Sequence, residues 1–574
     1  TFAEGSTLKA ISNALFSGDG SLMSIVIPDT VTTIDGYAFS GCMSLASVTL
    51  PASLQSVDGY AFARNNNITE LTYKPNDTAT VTLATALAAL RSSGLKTLTL
   101  GGTINTLNVQ GNTTLTTVDL TDCTSMTALP ENAFKGCTSL TTVRLPASLT
   151  TIGVSAFEGC TSLESITIPA NVTAIGDYAF MDTGLTAISL DGVQTLGAGA
   201  FINTKLQSVT IPASVTTMGD FVFERCRALQ TVVFASPLTA LPNGTFVDCI
   251  ALTTVTLGDT LTSIGENAFN SCTALEVIDI PASVKTLGSN AFVQCANLAT
   301  VTLHEGMETI SDGAFYDCTA LESILLPSTL TDIGVNAFSG SGLTSIEVPN
   351  VDTIGGQAFY DCKSLTSVTL NGIPMSIGAD AFLDSPVATV TIDAEDTRTA
   401  LYAGLLGNTT KLNPTTLTIG ASVTAIGDSA FKDNTTLTTL TFAEGSALKT
   451  IGDSAFRNCT ALADFRLPDG VTAIGSRVFE RCKAFKSFTI PSGLTVIGDY
   501  AFNSCDALAS VSIPDGVTAI GASAFYGCAA LTSIAIPSTV TSLGASAFDA
   551  TGLTSVTIPS TVTSIGNYAF SSCE

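Results

Sequence analysis

The stretch Phe157-Glu-Gly-Cys160-Thr-Ser-Leu163-Glu-Ser-Ile166-Thr-Ile168-Pro169, continued by Ala-Asn-Val172-Thr-Ala-Ile175-Gly176-Asp-Tyr-Ala179-Phe180, spans one period of 23 residues. Leu163, Ile166 and Ile168 fit a short strand whose apolar side chains point inward and whose Thr and Ser point out. Pro169 ends it, because proline cannot donate to a continuing ladder. Val172 and Ile175 return to the core, and Gly176 suits a tight backbone bend. Asp-Tyr-Ala-Phe then reads as one helical or 3₁₀ turn that places Phe180 inside. One such unit cannot bury its apolar face alone, whereas stacked copies share a continuous core.

The Ala-Phe signature or a close variant recurs at Phe16, Phe39 and Phe62, from Phe134 to Phe382, and from Phe431 to Phe570, mostly at intervals of 21 to 25 residues. The predicted fold is therefore a repeat solenoid, a leucine-rich-repeat-like, right-handed, β-rich stack. It would hold roughly 25 coils with short strands and short helical or 3₁₀ turns. Regular repeats are expected over 1–62, 134–382 and 431–574, and irregular coils over 63–133 and 383–430, all in one continuous solenoid. Each irregular part carries a helix-prone run, Leu83–Leu90 and Thr399–Leu406. They read as modified coils with a longer helix on the outer side.

The full pattern is Cys-x-x-Leu-x-x-Ile-x-Ile-Pro-x-x-Val-x-x-Ile-Gly-x-x-Ala-Phe. It resembles the BspA-like, or Treponema-type, leucine-rich repeats over nearly the whole chain. The resemblance implies a cell-surface or secreted protein of host-associated bacteria or parasitic protists. It also implies adhesion to host matrix proteins or to neighbouring cells. The fold transfers with the motif; the ligand does not.

Composition narrows the partners. With 48 acidic and 22 basic residues the formal charge is −26, which repels phosphate backbones and anionic lipid alike. Nucleic acid and membrane insertion are not expected, and no apolar run is long enough to span a bilayer. The first residue is Thr1 and no leader pattern follows, which reads as an excised or processed segment.

The cysteines follow the repeat. Cys42, Cys137, Cys160, Cys226, Cys249, Cys272, Cys295, Cys318, Cys362, Cys459, Cys482, Cys505, Cys528 and Cys573 each lie three residues after a repeat Phe. Asn65, Thr183, Thr204, Ser341, Ser385, Asn434 and Thr551 fill the same slot elsewhere. The slot calls for a compact, weakly polar, buried group, and free cysteine serves. Parallel side-chain directions in a ladder are wrong for disulfides, and no CxxC pair suggests zinc. A buried structural thiol ladder is the expectation.

No catalytic site is expected. The single histidine, His304, has no accompanying nucleophile motif and reads as a surface turn residue. No phosphate-binding, dinucleotide or calcium loop occurs, and no cofactor or metal is expected. The sequons, Asn67 and Asn171 among them, are no more than Ser- and Thr-rich composition produces. One stretch departs from the acidic background: Arg457, Arg466, Arg477, Arg481, Lys483 and Lys486 form a candidate partner-binding patch. Phe465, Phe485 and Phe488 in that stretch fall at inward positions.

Two functions follow. One is a non-enzymatic binding scaffold or adhesin for protein or glycan partners, in which outward residues such as Thr366, Ser367 and Thr369 vary freely. The other is head-to-tail self-association into a fibre or surface layer. Thr1-Phe-Ala-Glu-Gly-Ser-Thr-Leu-Lys nearly repeats Thr441-Phe-Ala-Glu-Gly-Ser-Ala-Leu-Lys, so the chain opens inside a coil, and a contact that does not close makes filaments.

Overall fold

The computed structural model describes residues 2–76, 94–104, 107–394, 398–406 and 410–573. The run Leu83–Leu90 lies outside them. The chain divides into two compact units, Thr1–Ser283 and Val284–Glu574.

In both units the described residues form coils paired by parallel strands, and no helix occurs among them. Each regular coil offers two edges to its neighbours. In the first unit Ser24–Val26, Ser47–Leu50 and Glu70–Tyr73 pair along one edge, Ser24 opposite Ser47 and Ser47 opposite Glu70. The second edge has two-residue strands, such as Thr151–Ile152 beside Ala174–Ile175. Burial alternates along these strands as the period-two reading requires: Val48, Leu50 and Leu71 are buried while Thr49 and Glu70 are exposed.

A third edge was not foreseen. The segment before and after each repeat Phe is not a helical turn but alternates in handedness. Around Phe180, Tyr178 and Asp182 are left-handed, at φ 54° and 56°. Tyr178, Phe180 and Asp182 donate their N–H groups to Ala198, Ala200 and Ile202 of the next coil at 2.9, 2.8 and 2.9 Å. Ala179 and Met181 donate backward within their own coil, to Gly176 and Tyr178. A helix would direct every N–H along its own axis and leave this side of the coil unpaired.

The repeat Phe rings stack face to face along the interior. Centroids of Phe134, Phe157, Phe180 and Phe201 are 5.3, 5.2 and 5.5 Å apart in turn, and those of Phe502, Phe525, Phe548 and Phe570 are all 5.4 Å apart. The rings are fully or almost fully buried over most of this column, where aromatic pairs add to the burial of area.

Two expectations are corrected. Residues 163–168 form no strand in their own coil, and Ile166 and Ile168 are half-buried. The following coil is short, with 21 residues from Phe180 to Phe201. Thr186 gives its N–H and its hydroxyl to Glu164 O at 3.1 and 3.3 Å in place of the ladder there. The helix-prone run Thr399–Leu406 is not a helix either. Ala400–Leu401 is a strand paired with Ala425–Ile426, and turns follow. Leu401, Leu405 and Leu406 are buried, so their spacing serves a strand and the interior column, where Leu406 donates to Ala430 O as a repeat Phe would. Val109 stands in for Phe in the same way, donating to Ala133 O.

The recurrent glycine of the Ile-Gly motif serves close approach more than bending. A Cβ on Gly176 would meet Val154 N at 2.8 Å and Gly153 C at 2.9 Å. Gly176→Ala should therefore destabilise the protein by about 1–3 kcal/mol through overpacking. Gly20→Ala, which would meet nothing within 4 Å, should stay within about 0.5 kcal/mol of the parent. Denaturant titration followed by circular dichroism measures both, and equal losses would contradict the close-approach explanation.

Candidate functional site

The slot three residues after each repeat Phe has a defined task. The carbonyl of the preceding coil's Phe points at it, and the slot side chain donates to that oxygen. Sγ to O distances run from 3.0 Å at Cys42 through 3.1 Å at Cys160, Cys226, Cys249, Cys362 and Cys505 to 3.3 Å at Cys573. Cys137 donates to Val109, the residue that replaces Phe in its neighbour, at 3.3 Å. Asn65 and Ser385 make the same bond with nitrogen and oxygen donors, both at 2.6 Å. Thr183 and Thr551 turn instead to their own Phe carbonyl at 2.8 Å. All fifteen cysteines are free, and all but Cys573 are buried. Burial pushes the thiols up, Cys226 to about 11 and Cys459 and Cys528 to about 12. A neutral thiol keeps the proton it donates.

The candidate cationic patch divides among several places in the second unit. Three guanidiniums gather on one buried acid: Arg457 Nε lies 3.0 Å from Glu480 Oε2, Arg477 Nη1 3.6 Å, and Arg481 Nε 4.0 Å from Oε1. The Glu480 side chain is 8% exposed. Its Oε2 accepts no aligned hydrogen bond despite the nearby Arg457, so charge rather than N–H geometry holds this pair. Arg477 also lies over the Tyr500 ring, 4.4 Å from its centroid. Lys483 pairs with Asp506 at 3.3 Å. Arg466 pairs with Asp469 at 2.8 Å and lines a separate groove with Phe442 and Ser446. Lys486 gives its backbone N–H to Asp464 at 2.7 Å. Burial works against the charge of Asp464, but bonds from Lys486 and Ser487 outweigh it and lower its carboxyl. Phe485 and Phe488 are buried and Phe465 half-buried, with its ring 5.6 to 5.8 Å from Phe479, Phe485 and Phe488.

His304 is half-buried beside Glu305, Leu325 and Pro327 along a groove of about 460 Å³. Glu305 accepts the N–H and hydroxyl of Ser328 at 3.1 and 2.9 Å. These bonds hold its carboxyl below the usual range.

Two local features escaped the sequence reading. Val222-Phe-Glu-Arg-Cys-Arg recurs as Val478-Phe-Glu-Arg-Cys-Lys, placing Arg225 and Arg481 at the same left-handed position, φ 58° and 64°. The corners after Phe180 and Phe201 are each one residue shorter than usual, which the Phe-to-Leu spacing displays.

The sequence profile of the BspA type leucine rich repeat region matches residues 9–122, 103–230, 216–342, 331–463 and 449–574. The chain belongs to this BspA-type family. Solved structures of similar chains include a leucine-rich repeat protein of Bacteroides ovatus, 18% identical, with TM-score 0.27, covering 91% of this chain and 86% of that one. A leucine rich cell surface protein of Faecalibacterium prausnitzii is 25% identical, with TM-score 0.25, covering 69% and 83%. The pneumococcal vaccine antigen PcpA is 19% identical, with TM-score 0.28, covering 73% and 87%. No curated protein matches the chain. No helix among the described residues is long and apolar enough to cross a membrane.

The thiol bond in this BspA-type repeat is open to a direct check. Cys482 donates to Phe456 O at 3.2 Å. Cys482→Ala removes the donor and strands a buried carbonyl, at a cost of about 1–3 kcal/mol. Cys482→Ser keeps a donor, as Ser385 does, and should lose less. Denaturation midpoints decide the order, and Ala at or above Ser would remove the bond from the account. Alkaline behaviour gives a second check. Unfolded thiols ionise near 9.0, whereas Cys226 waits until about 11 and Cys459 and Cys528 until about 12. Between these values the unfolded state binds fewer protons, so stability is full below pH 9 and falls as pH rises to about 12. Unfolding free energies measured from pH 8 to 11 should decline, with a shallower slope in a variant whose slots carry Ser.

Proposed function

We propose that the chain is a non-enzymatic binding scaffold, displayed at a cell surface or secreted, that recognises protein or glycan partners through outward-facing residues. What supports this reading is the separation of tasks within each coil. The Phe column, the slot donors and the close-approach glycines hold the interior of the stack, whereas the outward strand side chains lie outside it and join it only through hydroxyls such as Thr366 Oγ1, which donates to Thr344 O at 3.3 Å. Thr366 is exposed, and Ser367 and Thr369 are half-buried on the outer side of a strand whose Val368 and Leu370 are buried. A surface freed from the fold in this way can change its chemistry without cost to the core, and the BspA-type repeat implies a surface setting. Arg457, Arg477, Arg481 and Lys483 are the cationic contacts we assign to an acidic partner. Three of them share a single carboxylate, Glu480, and so retain excess positive charge.

The test is binding of the purified chain to a panel of extracellular-matrix proteins, cell-surface proteins and glycans, with light scattering on the same samples. Saturable, salt-sensitive binding by a monomer is expected. Arg477→Gln with Arg481→Gln should weaken binding to an acidic partner severalfold, mainly through association rate. Absence of any saturable ligand would count against the scaffold. Linear particles that grow with concentration would put head-to-tail assembly in its place.

A further inference from the structure

In the first unit, the two consecutive short corners open a trough of about 840 Å³ whose lining includes Asp182, Asn203, Lys205, Arg225 and Arg227. A normal corner places two residues between the slot and the strand Leu, as Thr161 and Ser162 do before Leu163. The corner after Phe180 has only Gly184, and that after Phe201 only Lys205. The full-length corners on either side stand as walls, with Thr138 and Thr161 on one and Arg225, Arg227 and Ala228 on the other.

The residue at the shortened position shows why adjacency matters. Where a short corner follows a full one, the chain draws in against the carbonyl behind it. A Cβ on Gly184 would lie 2.5 Å from Thr161 O, and one on Gly552 would lie 2.4 Å from Ala529 O. Glycine is therefore required at these positions, as at Gly342, where Thr319 O is 2.3 Å away. Lys205 follows a corner that is itself short, and there a long side chain is accommodated. It is exposed and has no ion-pair partner among the described residues.

The side chains that line the trough run against the charge of the chain. Its lining has three cations and one acid, Asp182, in a protein of formal charge −26. The two arginines are only loosely paired. Arg225 lies 3.4 Å from Glu224 and 3.9 Å from Asp248, and Arg227 lies 3.9 Å from Asp248, with side chains 56% and 62% exposed. Asp182 and Asn203 are joined at 2.7 Å, Asn203 Nδ2 donating. No aromatic or large aliphatic side chain lines the trough, so it lacks the aromatic anchors of peptide recognition. Hydroxyl, amide and cationic groups over glycine backbone suit a polyhydroxylated anion instead.

We propose that this trough binds a glycan bearing a carboxylated sugar. The carboxylate meets Lys205 with Arg225 and Arg227, and the ring hydroxyls meet Asp182, Asn203 and the threonine wall. The assignment rests on the scaffold reading and gives it a ligand class and a place.

The experiment is calorimetric titration of the whole chain at low salt with an oligosaccharide ending in glucuronate or sialate. Its carboxyl-reduced counterpart and an acidic peptide serve as comparators. The acidic glycan should bind, and the reduced one should bind at least roughly tenfold more weakly. Lys205→Glu and Arg227→Glu should each abolish binding. Insertion of one serine after Lys205 should abolish it too, since it refills the corner and keeps every charge. Lys9→Glu, an exposed reversal remote in sequence, should change nothing. Thermal melting confirms that each variant is folded. Equal affinity for the reduced glycan, indifference to Lys205→Glu and the insertion, preference for the peptide, or no binding of the acidic glycan would overturn the proposal. If the chain engages another partner while this trough stays empty, the scaffold reading stands and this site falls.

Discussion

The distance between neighbouring coils governs the remaining structure. Parallel strands pair at about 4.8 Å, and every coil must bring its backbone that close along three edges at once. Side chains that fill the gap between coils, or leave an acceptor unpaired in it, are disfavoured. The recurrent Ile-Gly glycine is one consequence. At Gly197 a Cβ would come within 2.4 Å of Asp177 N, so a larger residue there would have to displace the neighbouring backbone. The Asp after that glycine is another consequence. Asp177, Asp453 and Asp499 accept a backbone N–H from the next coil at 2.7 to 2.8 Å. The slot donors complete the set by meeting the Phe carbonyls that the alternating turn leaves facing inward.

The alternating turn carries a conformational cost that the stack absorbs. Left-handed φ costs non-glycine residues of the order of 1 kcal/mol, and most coils hold two such positions, two residues before and two after the Phe. Asn, Asp, Ser and Gly fill many of them, as they tolerate the region best. The exceptions are bulky. Tyr178 and Phe221 are left-handed and partly exposed, and each ring lies where a Cβ on the next coil's equivalent residue would fall, 2.7 Å at Gly199 and 2.2 Å at Gly244. An aromatic ring over a glycine recovers buried area that the glycine cannot supply. Arg225 and Arg481 instead hold guanidiniums at the surface, and Arg477 lies over the Tyr500 ring of the next coil.

Much of this was legible in the sequence, because repetition converts each position into many independent readings. The period, the inward Leu and Ile, the Phe column and the slot residues all follow from apolar spacing and size. The handedness of the turn did not, since four residues that bring a Phe inward look the same whether the backbone winds or alternates. The recurrence of Asn, Asp, Ser and Gly at both flanking positions was the available signal. The run Thr399–Leu406 misled for a related reason. Its leucines satisfy a helical spacing, but the following coil requires a strand partner for Ala425–Ile426, and tertiary pairing overrides propensity. The cationic stretch is a cluster in the sequence. Its division among Glu480, Asp469 and Asp506 depends on the coil geometry, which composition does not contain.

The same spacing constraint decides where a stack of this kind can form a concave site. Residues cannot be removed from the strands or the Phe turn without breaking a ladder on both sides. The corner between slot and strand is one place where length can vary, the turn after the strand being another, and a single shortening at the corner is costly. The coil draws against the carbonyl behind it, and the position becomes glycine at Gly342 and Gly552 or a proline at Pro386. A single short corner thus lacks a functional side chain at its deepest point. A second shortening in the adjacent coil lifts that restriction, because the carbonyl that would have clashed has itself withdrawn. The pair yields both a floor and a position able to hold Lys205. Among the corners that can be compared, only those after Phe180 and Phe201 meet this condition, and there the lining charge reverses sign.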